Sequence, residues 1–372
     1  MIYFDNSATT KPYQSVIDEV NKTMTNVFGN PSSGHFVGMD AASHLKSARE
    51  AVASSLKISP DEFYFTGSGT IADNIAIFGG AKKGVGKHIV TTAVEHHAVL
   101  HAFQELEKRG FDVTYINPDS NGDISLDAIK DALREDTSFV SIMRVNNETG
   151  AVFPVDGVKN LMNRICPRAY LHTDAVQSYG KEEINPQKWG VDLLSVSAHK
   201  IHGPLGIGGL YIRKGVTLNG FIFGGGQEKG IHSGTENLPA AAGFAAAARG
   251  ISYDDSSVRE INEYLRKELT ESGIAEINSP VDATPYVLNV SFTPVPSEVV
   301  LNALSAEGIC ASAGSACAAN RSGESHVLKA MGKSPKSAVR FSFSKENTLD
   351  EAKKLVKVLN DTIPLLKAVI KK

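Results

Sequence analysis

Cysteine is scarce: the 372 residues contain three, at positions 166, 310 and 317. An odd count with no Cys-x-x-Cys pair argues against a disulfide-stapled secreted fold and against a cysteine zinc site, and fits a reducing compartment. Long apolar runs are missing too. No stretch approaches the roughly 20 residues that a membrane helix needs. The opening MIYFDNSATTKPYQS lacks the basic-then-apolar order of a secretory signal. Charge of one sign is nowhere concentrated: 38 Lys and Arg against 41 Asp and Glu leave a net charge of -3, with no basic run and no acidic tail. These absences predict a soluble, cytoplasmic protein with neither nucleic acid nor membrane as a direct partner. What is present is an ordinary globular composition, 42% hydrophobic, in a chain long enough for two or three domains around a large core.

From about residue 40 the pattern alternates. Leu45, Ala48, Val52 and Leu56 recur at helical spacing. Short apolar runs follow at 62–66, 87–91, 113–116, 139–145, 170–173 and 193–196, separated by helical segments, one of them capped by Ser125. This order predicts an α/β fold with a mainly parallel sheet between helices. A polar run, RGISYDDSS, marks a boundary near residue 250. We expect a large domain over 13–250, and a smaller α+β domain formed by 1–12 with 251–372, whose last helix starts at a Thr348–Glu351 capping box.

Polar residues fall at the ends of the predicted strands, where open parallel sheets bind ligands. Glu95-His96-His97, Asn146-Asn147-Glu148, Asp174, and Ser197-Ala198-His199-Lys200 each follow a strand. Gly67-Ser68-Gly69-Thr70 joins a strand to a helix and offers backbone N–H groups to an anion, although its spacing is not that of a P-loop. Each feature has an ordinary reading alone: Asp174 as a helix cap, Lys200 as a surface lysine, His96 as a structural histidine. The histidines lack carboxylate or cysteine partners at ligand spacing, so no metal is expected. Together, an anion cradle, a carboxylate for a pyridinium nitrogen and a lysine able to form a Schiff base are the parts that pyridoxal phosphate requires.

The whole chain resembles the cysteine desulfurases of the NifS/IscS type, which are class-V, fold-type-I pyridoxal-phosphate enzymes. The resemblance is carried by YFDNSATT, FGNPSSGH, FTGSGT, VEHHAV, VNNETG, HTDAVQS, SAHKIHGPLGIGGLY, GGGQEKG, HSGTEN, SAGSAC and VRFSFS, all in order. It implies that Lys200 binds the cofactor covalently, that His96 stacks on its ring and aids proton transfer, and that Asp174 pairs with the ring nitrogen. It also implies that Gln177 contacts the ring hydroxyl oxygen, and that Gly69, Thr70, Ser197 and His199 hold the phosphate. Thr235 would reach the phosphate of the neighbouring subunit in a homodimer. Asn147 would lie between cofactor and L-cysteine substrate, and Arg340 would clamp the substrate carboxylate. Cys317, set among small residues in a long loop, would take the sulfur as a persulfide and pass it to an acceptor, such as an iron–sulfur scaffold or a tRNA-thiolation protein. Cys166 and Cys310 read as small core residues.

The sequence departs from that family where Lys229 and His232 replace the usual arginines, and where the chain ends soon after the last helix. The expected alternatives are a class-V aminotransferase or selenocysteine lyase, which would not need Cys317, and a weakly catalytic sulfur-relay subunit.

Overall fold

The computed structural model describes residues 1–314 and 324–370; Cys317 lies outside the described residues. After β1 (Ile2–Tyr3) come two helices, Gln14–Asn26 and Phe36–Ser55. The second begins where the His35 imidazole accepts the Gly38 N–H, and it buries the stripe Ala41, Leu45, Ala48 and Val52.

The strands β2 (Phe63–Thr66), β3 (His88–Thr92), β4 (Asp112–Ile116), β5 (Thr137–Ser141), β6 (Tyr170–Asp174), β7 (Leu193–Ser197) and β8 (Gly208–Ile212) form one sheet in the order β2-β8-β7-β6-β5-β3-β4. All adjacent pairs are parallel except the two that β8 makes, with β2 and with β7. The sheet is mainly parallel, as expected. Alternate residues of a strand face opposite sides. Accordingly Val90, Val140, Leu194 and Tyr211 join the apolar cluster built with helices Phe36–Ser55, Val155–Ile165 and Leu238–Arg249. Their neighbours Ile89, Phe139, Leu193 and Leu210 join a second cluster with helices Gly69–Gly80 and His97–Lys108. Coverage on both faces explains why β3, β5, β7 and β8 are buried at every residue rather than at alternate ones.

One strand is shorter than its sequence suggests. Regular strand pairing of the apolar run 139–145 ends at Ser141; beyond it Ile142 and Arg144 still donate to the His172 and Asp174 carbonyls of β6, at 3.2 and 3.0 Å, while the Met143 N–H goes to the buried Glu95 carboxylate at 2.9 Å and the chain then folds back at Asn146–Gly150.

A third apolar cluster joins Ile2 and Phe4 to residues between Val258 and Ile363. It surrounds β9 (Glu276–Ile277), β10 (Val287–Ser291) and β12 (Ala338–Ser342), an antiparallel sheet in the order β12-β10-β9; β11 (Ile309–Cys310) pairs with β1. Thr348 and Glu351 exchange the two hydrogen bonds of the capping box before the last helix, Leu349–Ile370. Among the described residues no helix is long and apolar enough to cross a membrane.

Candidate active site

The carboxyl ends of β3, β6 and β7 open on a pocket of about 170 Å³. Of the residues singled out in the sequence, Gly69, Thr70, His96, Asn147, Asp174, Gln177, Ser197, His199, Lys200 and Arg340 all line it, together with Ser7, Ala8, Ser68, Asp73, Met143 and Val176.

Local structure aims each of these groups. Ser68 caps helix Gly69–Gly80 by accepting the Ile71 N–H, and the first turn of the helix faces the pocket with its unpaired N–H groups. Glycine is needed at 69, since a Cβ there would stand 2.9 Å from Val176 Cγ2 and 3.3 Å from Ser197 Cβ. His96 caps helix His97–Lys108: its Nδ1 accepts the Ala98 N–H at 3.2 Å, which leaves Nε2 for the pocket. Asp174 ends β6, and its Oδ1 accepts the Val176 N–H at 2.8 Å, so one oxygen does the work of a local cap. His199 Nδ1 lies 3.1 Å from Thr9 Oγ1. Lys200 donates to the carbonyls of Ser7 at 2.5 Å and Ala8 at 2.7 Å. Arg340 is 1% exposed; it donates to the Asn147 carbonyl at 2.9 Å and to Asp5 at 3.0 Å, while its Nε has no partner among the described residues.

Charge is divided across the pocket. Burial raises the Asp174 carboxyl to about 6, although the Val176 N–H and Lys200 pull it back. Burial, and then Asp174 itself, push Asp73 well above the usual carboxylate range. His172, 3.6 Å from Asp73, is held down at about 3 by burial and supplies no countercharge. Oδ1 of Asp73 has no hydrogen-bond partner among the described residues. Asp73, Asp174 and His96 bring their ligand atoms within 4.8 Å of one another. Burial and then Lys200 depress His96 to about 4, with the neighbouring histidines adding to the effect, and depress His199 to about 4. Both imidazoles are therefore neutral at pH 7. The carboxyl end suits a cationic N–H donor; the end at Gly69, Thr70, Ser197 and His199 suits an anion.

Two strand-end carboxylates look away from this pocket. Glu95 accepts from Thr92 Oγ1 and the Met143 N–H, and burial raises it to about 8. Glu148 accepts the Ser325 hydroxyl at 2.5 Å. Thr235 does not line the Lys200 pocket. It lines a separate cavity of about 210 Å³ with Thr66, Gly67, Glu228 and His232. There Arg49 grips Glu228 with two hydrogen bonds, of 2.6 and 2.7 Å, and Lys229 pairs with Asp61 at 2.7 Å. Of the other cysteines, Cys166 is buried as expected, its thiol pushed to about 11 by burial, but Cys310 is only partly buried.

Sequence reasoning missed Ser7 and Ala8, which act through carbonyls that any residue carries. It missed Asp73 because a mid-helix aspartate reads as solvated. The signal that could have found it is its place one turn after Gly69 on the pocket-facing side.

Residues 2–355 match the aminotransferase class-V family. A cysteine desulfurase of Nostoc sp. is 37% identical over 99% of this chain and 94% of its own length. A solved NifS-like protein is 36% identical, with a TM-score of 0.91 over 98% of this chain and 99% of that one. A solved structure of SspA in complex with cysteine is 33% identical, with a TM-score of 0.82 over 92% of this chain and 99% of that one. The chain belongs to the class-V aminotransferase family, among its cysteine desulfurases of the NifS/IscS type.

Proposed function

We propose that this chain is a pyridoxal-phosphate enzyme that converts L-cysteine to L-alanine and transfers the sulfur to Cys317. The observation that carries the reading is the convergence of Lys200, Asp174 and His96 on one pocket with opposite ends of opposite character. The residues fit the group: the raised carboxyls of Asp174 and Asp73, one with an orphan oxygen, match a protonated ring nitrogen, and the Ser68-capped helix start matches a phosphate. Bound there, the cofactor supplies an electron sink for the pair left when the substrate loses its α-proton.

The chain's own groups then have these roles. Lys200 holds the cofactor covalently and takes the α-proton at Nζ. Asp174 keeps the ring nitrogen protonated. His96, neutral and fixed through Nδ1, covers the ring and can move a proton at Nε2. Gln177 donates to the ring hydroxyl oxygen. Gly69, Thr70, Ser197 and His199 hold the phosphate. Asn147 separates cofactor from substrate, and Arg340 receives the substrate carboxylate. The Cys317 thiolate attacks the substrate sulfur; an S–S bond forms, the C–S bond breaks with its electron pair returning to carbon, and a proton completes alanine. The persulfide passes to an acceptor protein, an iron–sulfur scaffold or a tRNA-thiolation protein, in the cytoplasm.

The reading includes a homodimer in which Thr235 serves the partner's pocket. Its place in a cavity separate from the Lys200 pocket of its own chain supports this, as do Phe36 and Phe223, 83% and 86% exposed. It also includes two domains, 13–250 and 1–12 with 251–372, a division supported by the apolar cluster shared by Ile2, Phe4 and residues beyond Val258.

The test is alanine formation from L-cysteine, with and without reductant, by wild type and Cys317→Ser. Alanine from wild type alone is the expected result. Equal activity in both, or none in either, overturns the persulfide reading.

A further inference from the structure

Lys181 has no role so far, yet it sits against the site. It is only partly exposed, and burial, with Lys200 and Arg340 adding to it, brings its amine down to about 7. Its Nζ lies 2.9 Å from Oε1 of Gln177, and Nε2 of the same amide lies 3.0 Å from the Ser7 carbonyl. An amine nitrogen on lysine can donate in either protonation state, and a carbonyl can only accept. Both contacts therefore force one orientation of the Gln177 amide, oxygen toward Lys181 and nitrogen toward Ser7. The same Ser7 carbonyl accepts from Lys200 at 2.5 Å, so Lys181, Gln177, Ser7 and Lys200 form one hydrogen-bonded line. The amide nitrogen carries two protons; one goes to Ser7, and the second remains for the pocket that Gln177 lines.

We propose that Lys181 is a positioning residue, which locks the Gln177 amide with its N–H edge toward the cofactor's ring oxygen and strengthens that donor by polarising the amide. This rests on the reading of the pocket as a pyridoxal-phosphate site with Gln177 at the ring oxygen. The consequence is electrostatic. A donor on the ring oxygen stabilises its negative charge and loosens its hold on the proton shared with the Lys200 nitrogen. Without Lys181, Oε1 of Gln177 is left buried and unpaired, and the amide gains by turning it elsewhere. The ring oxygen then keeps the proton to higher pH. The charged and titratable groups around Lys181 are Lys200 and Arg340 at the site, Glu182, Asp255, Arg259 and Asp282 in one neighbouring cavity, His202 and Lys345 in another, and the Tyr286 ring, whose centroid is 5.6 Å from its Nζ.

The experiment is a pH titration of the visible absorption of the holoenzyme, for wild type, Lys181→Met, Lys181→Arg, Gln177→Met and the Lys181→Met/Gln177→Met double variant. We expect Lys181→Met to raise the midpoint by about 0.5–1 pH unit, the size of one net hydrogen bond. Lys181→Arg, which keeps a donor, should return most of the way, and Lys181→Met should add nothing in the Gln177→Met background. An unmoved midpoint, or a full shift that persists without Gln177, overturns the inference. Lys181→Leu is the second truncation should methionine not fold, and carries the same expectation. If wild type binds pyridoxal phosphate with no visible band that Lys200→Ala removes, the cofactor reading itself fails; a normal wild-type band with an unmoved Lys181→Met midpoint sinks this inference alone.

Discussion

The Lys200 pocket and the Thr235 cavity are built by opposite means. Around Lys200 the groups are placed by regular structure: Asp174 ends β6, Ser197 ends β7, His96 and Ser68 cap helices. No residue lining that pocket has a positive φ, glycine or not. The Thr235 cavity is shaped by a turn in which Glu228 and Lys229, neither a glycine, adopt left-handed φ values of 47° and 54°. Such residues cost on the order of 1–3 kcal/mol each. Here Arg49 and the Phe65 N–H hold Glu228, and Asp61 holds Lys229. The first site inherits its geometry from the sheet, whereas the second depends on a few side-chain contacts. Chemistry that tolerates little displacement sits in the first.

Four changes would break or sharpen that contrast. Lys200→Ala should lose at least about three orders of magnitude in alanine formation, since it removes covalent attachment and base together, while urea unfolding stays close to wild type; a large stability loss instead would make Lys200 a structural residue. Arg49→Ala should cost about 3–5 kcal/mol in the same unfolding measurement, because it strands a buried carboxylate. Glu228 has a side chain only 2% exposed. Arg49→Met with Glu228→Gln together should recover much of the loss, and failure to recover would mean that the pair is not what holds the turn. Gly69→Ala should weaken cofactor binding about 5- to 150-fold, corresponding to roughly 1–3 kcal/mol of overpacking at the helix start; an equilibrium constant equal to wild type would show that the turn is slack.

The smallest expected effect is a pH dependence. Burial first, opposed by the Met143 N–H, raises Glu95 from 4.5 to about 8. Its folded form thus holds a proton that the unfolded form has lost. The stabilising contribution is complete below pH 4.5 and fades as pH rises through 8. Glu95→Gln cannot titrate, so the melting temperature of the variant should gain on wild type between pH 5 and 8. The reverse trend would show that Glu95 is ionised in the folded protein. His96 and His172 act at the acid end: both are depressed by burial, to about 4 and about 3, so they cost stability as pH falls below 6.5.

Much of the pocket was legible in the sequence because its groups terminate strands or begin helices, positions that hydrophobic period and capping residues mark. The strand end at Ser141 was not legible. Beyond it the Met143 N–H goes to the Glu95 carboxylate, 48 residues earlier in the chain, rather than to a strand partner. Asp73 was invisible for a related reason: only packing decides whether a polar position on a helix meets water or another carboxylate, and here it is 1% exposed beside Asp174.

By itself, then, the sequence determined the α/β class, the helix and strand periods, and the loops that carry Lys200, Asp174 and His96, since local pattern and backbone chemistry are encoded within a few residues. Only the tertiary structure decided which hydrogen bonds those groups make and how burial shifts their protons: the Lys181–Gln177–Ser7–Lys200 line, the orphan oxygen of Asp73, the Arg49 grip on Glu228. Those outcomes depend on partners 4 to 193 residues apart, brought together by the packing of elements that no local pattern relates.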